Sequence, residues 1–375
     1  MQSMASPSAI RQGFNRSRWF EGGEKRRRDA GVLRRRSIRW QVGMTLAAAL
    51  FLLPAVTHAP PAMAQPSLAQ PSLAQSIRIG ALKFGSVAWE FDVIAHHRLD
   101  RKHGFSLDIV PLASTQALKV ALQAGGVDVI LADWLWVSRI RQSGSDVTFA
   151  PYGAWAGALM VPAASKTRTL GDLAGLRIGV AGGPINKNWL LLQALAAKEE
   201  GLRLADEMEI VFAAPPLLRM EMQTGRLDAV LTYWQDAAML QTIGFRRMID
   251  TAEVARRLGV SRRVPFLGYV FSSAWAESRR DALRGFLAAS REAKAILRHS
   301  DAEWERLAPL TRTDGATQLH TVRDAYRRGL LEHWGEEERH AAEALFGVLS
   351  GVAGTPLTGG QTRLAPGTFW AEDRF

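Results

Sequence analysis

The chain contains no cysteine among its 375 residues. Disulfides, thiol nucleophiles, cysteine-ligated zinc, iron–sulfur clusters and a bacterial lipoprotein anchor are therefore excluded. It also lacks a Gly-x-Ser-x-Gly elbow and a GxxxxGK[ST] phosphate loop, and no catalytic triad can be ordered along it. Histidine is scarce, with eight residues. His96, His97 and His103 are the one tight group. His97 and His103 do not share the i, i+4 face that a zinc protease helix needs, so these three, with His333 and His340, read as surface or core residues. No metal, no cofactor and no catalytic residue is expected. A strong one-signed charge is missing from the body as well. The formal net charge is +11, but residues 1–64 hold 11 basic and 3 acidic residues, leaving only +3 for residues 65–375. That distribution does not support a nucleic-acid partner, whose binding surface would need its charge in the folded part.

What remains is ordinary globular material, 47% hydrophobic and 22% charged. The length suggests two domains that together bury roughly 70–75% of the unfolded surface. The N-terminus reads as an address. Arg26–Arg28, Arg34–Arg36 and Arg39 precede an apolar stretch from Val42 to Val56, which is too short for the ~20 residues of a spanning helix. Ala62-Met63-Ala64 follows as a small-x-small cleavage site. Residues 1–64 are thus expected to be a cleaved secretory signal peptide, making the mature protein periplasmic. Pro-Ser-Leu-Ala-Gln then occurs twice within residues 65–75, which reads as a flexible linker.

The mature chain echoes itself. Arg78-Ile79-Gly80 returns as Arg177-Ile178-Gly179, and the strand after Gly126-Val127-Asp128 returns after Gly225-Arg226-Leu227-Asp228. Arg78 to Asp128 spans 50 residues and Arg177 to Asp228 spans 51. Each half has the same grammar: apolar strand, helix (Glu90–Arg101 or Lys187–Glu200), glycine stop (Gly104 or Gly201), strand, helix, strand. Alternating strands and helices predict βαβ units and a parallel sheet. The fold class is therefore α/β with two similar lobes and a hinge. Lobe 1 is expected over 76–160, completed by 265–375, and lobe 2 over 161–264. Val147–Val161 and Val264–Phe271 are the expected crossings, and the tail from Trp275 onward is mostly helical.

In such sheets ligands bind outside the carboxyl ends of the strands. Trp89 and Trp189 follow the first strand of each half, and Trp134 and Trp234 end the later one, each pair offset by 100 residues. An indole offers a flat apolar face and one donor for a small planar or alkyl ligand, or else caps the core at the seam. The turn Gly182-Gly183-Pro184-Ile185-Asn186-Lys187-Asn188 enters a helix and offers an anion seat. Asn186 either donates to a ligand or caps that helix. Lys83, with Phe84 beside it, can supply a positive charge or be solvated. Asp133 and Asp236 can hold an amine or fill capping roles. The expected binding wall is therefore Lys83, Phe84, Trp89, Asp133, Trp134, Gly182, Gly183, Asn186, Asn188, Trp189, Trp234 and Asp236.

Three segments resemble a known family. Asp172-Leu173-Ala174-Gly175-Leu176-Arg177-Ile178-Gly179-Val180 resembles the element that opens the second lobe of ABC-transporter substrate-binding proteins of the nitrate/sulfonate/taurine group. Leu99–Val110 and Gly225–Leu231 resemble two further elements of that group, and the likeness spans about residues 76–300. It implies a type II periplasmic-binding fold. The implied function is capture of a small organic solute by a monomer and its delivery to the membrane permease of an importer. Related thiamine-pyrimidine synthases carry a cysteine-rich motif that is absent here; a periplasmic enzyme on the same fold is the alternative. Trp89 and Glu90 stand where the family's first ligand turn is small and polar, which fits nitrate poorly. An organic ligand is expected instead: a sulfonate, an amine-bearing acid or a heterocycle.

Overall fold

The computed structural model describes residues 75–82 and 85–375. The expected signal peptide, most of the linker, Lys83 and Phe84 lie outside the described residues. Ten strands run in chain order: β1 (Gln75–Leu82), β2 (Phe105–Leu112), β3 (Val129–Asp133), β4 (Val147–Gly153), β5 (Ala158–Pro162), β6 (Arg177–Ala181), β7 (Glu209–Ala213), β8 (Ala229–Thr232), β9 (Phe245–Asp250) and β10 (Leu267–Ser272). They form two five-stranded sheets, ordered β2-β1-β3-β10-β4 and β7-β6-β8-β5-β9.

The two sheets follow one plan. Three parallel strands in the order second-first-third begin each. The fourth position is taken by a strand that has just crossed from the other sheet. β10 arrives after the second sheet is built, and β5 arrives after four strands of the first. Both run antiparallel to their neighbours. The parallel sheet expected from the βαβ grammar is therefore mixed, because each crossing strand enters from the opposite side. The sequence echo also has a structural cause. Asp128 Oδ2 accepts from the Arg78 backbone N–H at 2.8 Å, and Asp228 Oδ2 accepts from that of Arg177 at 2.9 Å. Each motif pair is thus one joint between first and third strands. The echoed glycines make room for the helix above. A Cβ on Gly80 would lie 3.1 Å from Leu118, and one on Gly179 would lie 2.8 Å from Leu218.

Helices cover the sheets. The helix expected over 90–101 is two: α1 (Val87–His96) and α2 (Leu99–Lys102). Arg98 breaks it at φ 55°, a position that no glycine marks. Then come α3 (Thr115–Gln123), α4 (Trp134–Gln142), α5 (Lys187–Glu200), α6 (Leu204–Glu207), α7 (Pro215–Gln223), α8 (Trp234–Gln241) and α9 (Thr251–Arg257). α5 begins and ends where its signals lie, with Asn186 capping its start and Gly201 closing it at φ 67°. The tail comprises α10 (Ser273–Ser278), α11 (Arg280–His299), α12 (Asp301–Thr311), α13 (Ala316–Gly329), α14 (Glu336–Ala353) and α15 (Thr355–Thr358). α11 and α12 pack on α1, whereas α13 packs on α8 and α14 on α5. The tail therefore touches helices belonging to both sheets. No helix among the described residues is long and apolar enough to cross a membrane.

Candidate functional site

The third strand of the first sheet ends at a residue that reaches the second half. Asp133 closes β3 and caps α4, its Oδ1 accepting from the Trp136 N–H at 2.9 Å. Its other oxygen lies 3.3 Å from Lys187 Nζ, on the first residue of α5, and 3.9 Å from Lys119 Nζ. The Asp133–Lys187 pair spans from the first sheet to a helix of the second. A lysine at a helix N-terminus runs against the helix dipole, so its position needs an anion in front of it. Lys119 also lies over the Trp136 ring, 4.8 Å from its centroid. Burial works to raise the Asp133 carboxyl. Lys187, Lys119 and the Trp136 N–H outweigh it and hold the group below its ordinary 3.8. Burial lowers the Lys119 ammonium, against the pull of Asp133.

The sign for stability follows from Asp133. With its folded value depressed, the stabilisation it contributes is complete above the ordinary carboxylate range and fades as pH falls through the folded value. Asp133→Asn should therefore flatten the acid limb of a plot of unfolding midpoint against pH below about pH 4. Thermal unfolding across that range checks this, and an unchanged acid limb would contradict it.

An aromatic seam also joins the two halves. Trp89 from α1 meets Trp234 from α8 at right angles, with centroids 6.1 Å apart. Trp155, in the crossing between β4 and β5, stacks on Trp234 at 6.0 Å and meets Tyr326 of α13 at 4.9 Å. Trp304 of α12 backs Trp89 at 5.6 Å. The tail accepts the indole N–H groups: Trp89 donates to Leu310 O at 3.2 Å and Trp155 to Tyr326 O at 2.8 Å. Trp155 packs so closely on Gly329 that any side chain there would collide with its ring. The Tyr326 and Thr232 hydroxyls are buried with no hydrogen-bond partner among the described residues.

Behind the seam, Glu90 is fully buried one residue after Trp89. It accepts from the Tyr269 hydroxyl, and Lys294 Nζ lies 3.4 Å from its other oxygen. Lys294 also donates to Ser290 Oγ at 2.7 Å and stands 4.5 Å from the Tyr152 ring centroid. Burial lowers the Lys294 ammonium, and Glu90 opposes the shift.

The structure sorts the expected wall. Trp89, Trp234, Asp133 and the Asn186 turn are brought to the facing strand ends. Trp134 and Trp189 are 0% and 2% exposed, and Trp89, although it meets Trp234, is itself only 4% exposed. Trp134 donates to Pro265 O at 2.7 Å and stacks on Phe266, while Trp189 points into the core below α5. Asn186 caps α5 by accepting from Asn188 and Trp189 N–H groups and donates to Ala181 O at 2.8 Å. Gly182 spends its N–H on Ala213 O, so it does not serve as a free donor for an anion. Gly183 remains in the turn, and Asn188 is buried against Gly157. Asp236 pairs with Arg219 of α7 at 3.3 Å, and burial raises its carboxyl despite that partner. The residues that sequence reasoning left out are Lys119, Lys187, Tyr233, Trp304 and Tyr326. Only Lys187 carried a local signal, the charge at the helix start. A shallow cavity of about 460 Å³ lies elsewhere, on edge strand β9 and α9. Among its charged lining residues, Arg247 pairs with Asp250, Glu253 with Arg256 and Arg257 with Glu199.

An ion pair and a ring contact thus join the two α/β halves. The periplasmic substrate-binding proteins of ABC transporters, in their phosphonate-binding family, match residues 96–314. The chain belongs to this family. It is accordingly a solute-binding protein of ABC import, in a family whose members are periplasmic, bind small solutes and work with a membrane permease. No curated protein matches the chain. Among solved structures it is similar to the aliphatic sulphonate binding protein SsuA of Escherichia coli. That match has 18% identity and a TM-score of 0.64, covering 79% of this chain and 92% of the other. The alkanesulfonate-binding SsuA of Xanthomonas axonopodis pv. citri, bound to MOPS, matches at 19% identity and a TM-score of 0.60, covering 79% and 98%. The desulfurization enzyme DSZB also matches, at 15% identity and a TM-score of 0.51, covering 77% and 97%. These likenesses establish the fold.

Proposed function

We propose that the protein captures an organic oxyanion, of sulfonate or phosphonate type, between lobe 1 (76–160 with 265–375) and lobe 2 (161–264), and closes on it as a monomer. The observation that carries this reading is the Asp133–Lys187 pair with Lys119 beside it. Two ammonium groups and one carboxylate leave a net positive site at the start of α5, where an anion is favoured. The aromatic seam supplies the apolar wall for the organic part, and the unpartnered Tyr326 and Thr232 hydroxyls supply donors. The names of the similar structures, which include sulfonate binders, agree with this chemistry.

Calorimetric titration with a panel of alkanesulfonates and alkylphosphonates tests it. One tight site for a member of the panel, weakened at least about tenfold in Lys187→Ala, is expected. Binding of neutral or cationic solutes only would overturn the reading. Turnover of a bound sulfonate would favour an enzyme on this fold instead. Export follows from the leader. The extracytoplasmic protein should begin at Gln65, or at Gln70 or Gln75 if a secondary site is used. An intact mass beginning at Met1 or Met4 would contradict cleavage.

A further inference from the structure

We infer that His96, His97 and Glu303 form a binding site for a divalent transition-metal ion of the zinc type, joining the end of α1 to the start of α12. The imidazole nitrogens and the carboxylate oxygen that would act as ligands all lie within 4.8 Å of one another. His97 Nε2 stands 3.3 Å from Glu303 Oε2. That is about the separation of two ligand atoms on a tetrahedral ion with bonds of about 2.0–2.1 Å. The ring of His96 stands edge-on to that of His97, with centroids 4.9 Å apart.

Neighbouring residues position the three ligands. α1 ends at His96, and His97 leaves the helix at φ −86° and ψ 2°, so adjacent residues can turn their rings toward one point. Glu303 is buried, and its Oε1 is held by Arg306 Nε at 3.0 Å and Nη2 at 2.6 Å. Its Oε2 is thereby left to the histidines. Arg306 would repel a cation if unopposed, but Asp92 lies 2.5 Å from it, one turn before His96 on α1. Asp92, Glu303 and Arg306 together carry one net negative charge, which suits a dication. Two imidazoles, one carboxylate and an exposed side for water favour zinc, nickel or copper over calcium or magnesium.

The site is outside the solute cleft, but its helices are not. Glu303 immediately precedes Trp304, which backs Trp89 in the aromatic seam. An ion across α1 and α12 would clamp the two helices that bring those rings together.

Zinc titration by calorimetry of the tag-free, chelator-stripped protein tests the site. One ion per chain is expected. His96→Ala, His97→Ala and Glu303→Gln should each weaken it at least about tenfold. His96 is exposed, so His96→Ala leaves the fold intact even if Glu303→Gln does not, and circular dichroism without metal checks both. Cobalt substitution should give the intense visible band of a four-coordinate site in wild type and lose it in His96→Ala. Absence of zinc binding in wild type, or binding within about threefold of wild type in both histidine variants, would overturn the assignment.

Discussion

Lys294→Met should destabilise the protein by about 3–5 kcal/mol, measured by denaturant unfolding. Lys294 lies 3.4 Å from a carboxylate that is fully buried, and methionine keeps the length of the side chain while removing its charge. Glu90 would then retain only the Tyr269 hydroxyl as a partner. An uncompensated buried charge costs more than the pair contributed, so the double variant Glu90→Gln/Lys294→Met should recover much of the loss. A loss below about 1 kcal/mol in the single variant would show that water reaches the pair, and the buried network behind the seam would have to be abandoned.

Trp234→Ala should cost about 2–4 kcal/mol of solute binding, or roughly 30- to 1,000-fold in affinity. Trp234 is half-buried and meets rings from the first half, the crossing and the tail. It is placed to grip a ligand as the halves close. Trp189→Ala is the matched contrast. Its ring is buried in the core, so it should lose about 3–5 kcal/mol of stability and keep its affinity when measured well below its melting point. Loss of stability without loss of affinity in Trp234→Ala would make that residue a seam-packing one as well.

That contrast marks how far the sequence could be read. The offset of 100 residues paired Trp89 with Trp189 and Trp134 with Trp234, which suggests equal roles. Trp89 and Trp234 meet at the seam, Trp89 itself buried, whereas Trp134 and Trp189 pack in the core of their own halves. Internal repetition reports a shared backbone plan, whereas the direction of a side chain depends on what packs around it. Phe266 and Pro265 claim Trp134 from 131 or more residues away. The Arg78–Asp128 and Arg177–Asp228 joints were legible because the same bond, from the arginine backbone N–H to the aspartate carboxylate, ties first to third strand in each half and imposes the spacing. α5 was legible because its cap and its stop are local. α12 was not, since Pro309 interrupts its pattern and its role is to deliver Trp304 to a distant ring. For the same reason the histidine pair gave no sign of a third ligand: Glu303 lies 206 residues from His97.

The central claim is that one organic oxyanion sits between the halves, against Lys187 and the aromatic seam. Native mass spectrometry tests it most directly, on protein recovered from cells supplied with the sulfonate or phosphonate that binds in the calorimetric panel. The account predicts a one-to-one adduct of that anion in wild type, lost in both Lys187→Ala and Trp234→Ala while their folded charge-state distributions are unchanged. An adduct retained in full by both variants would place the solute elsewhere and contradict the account.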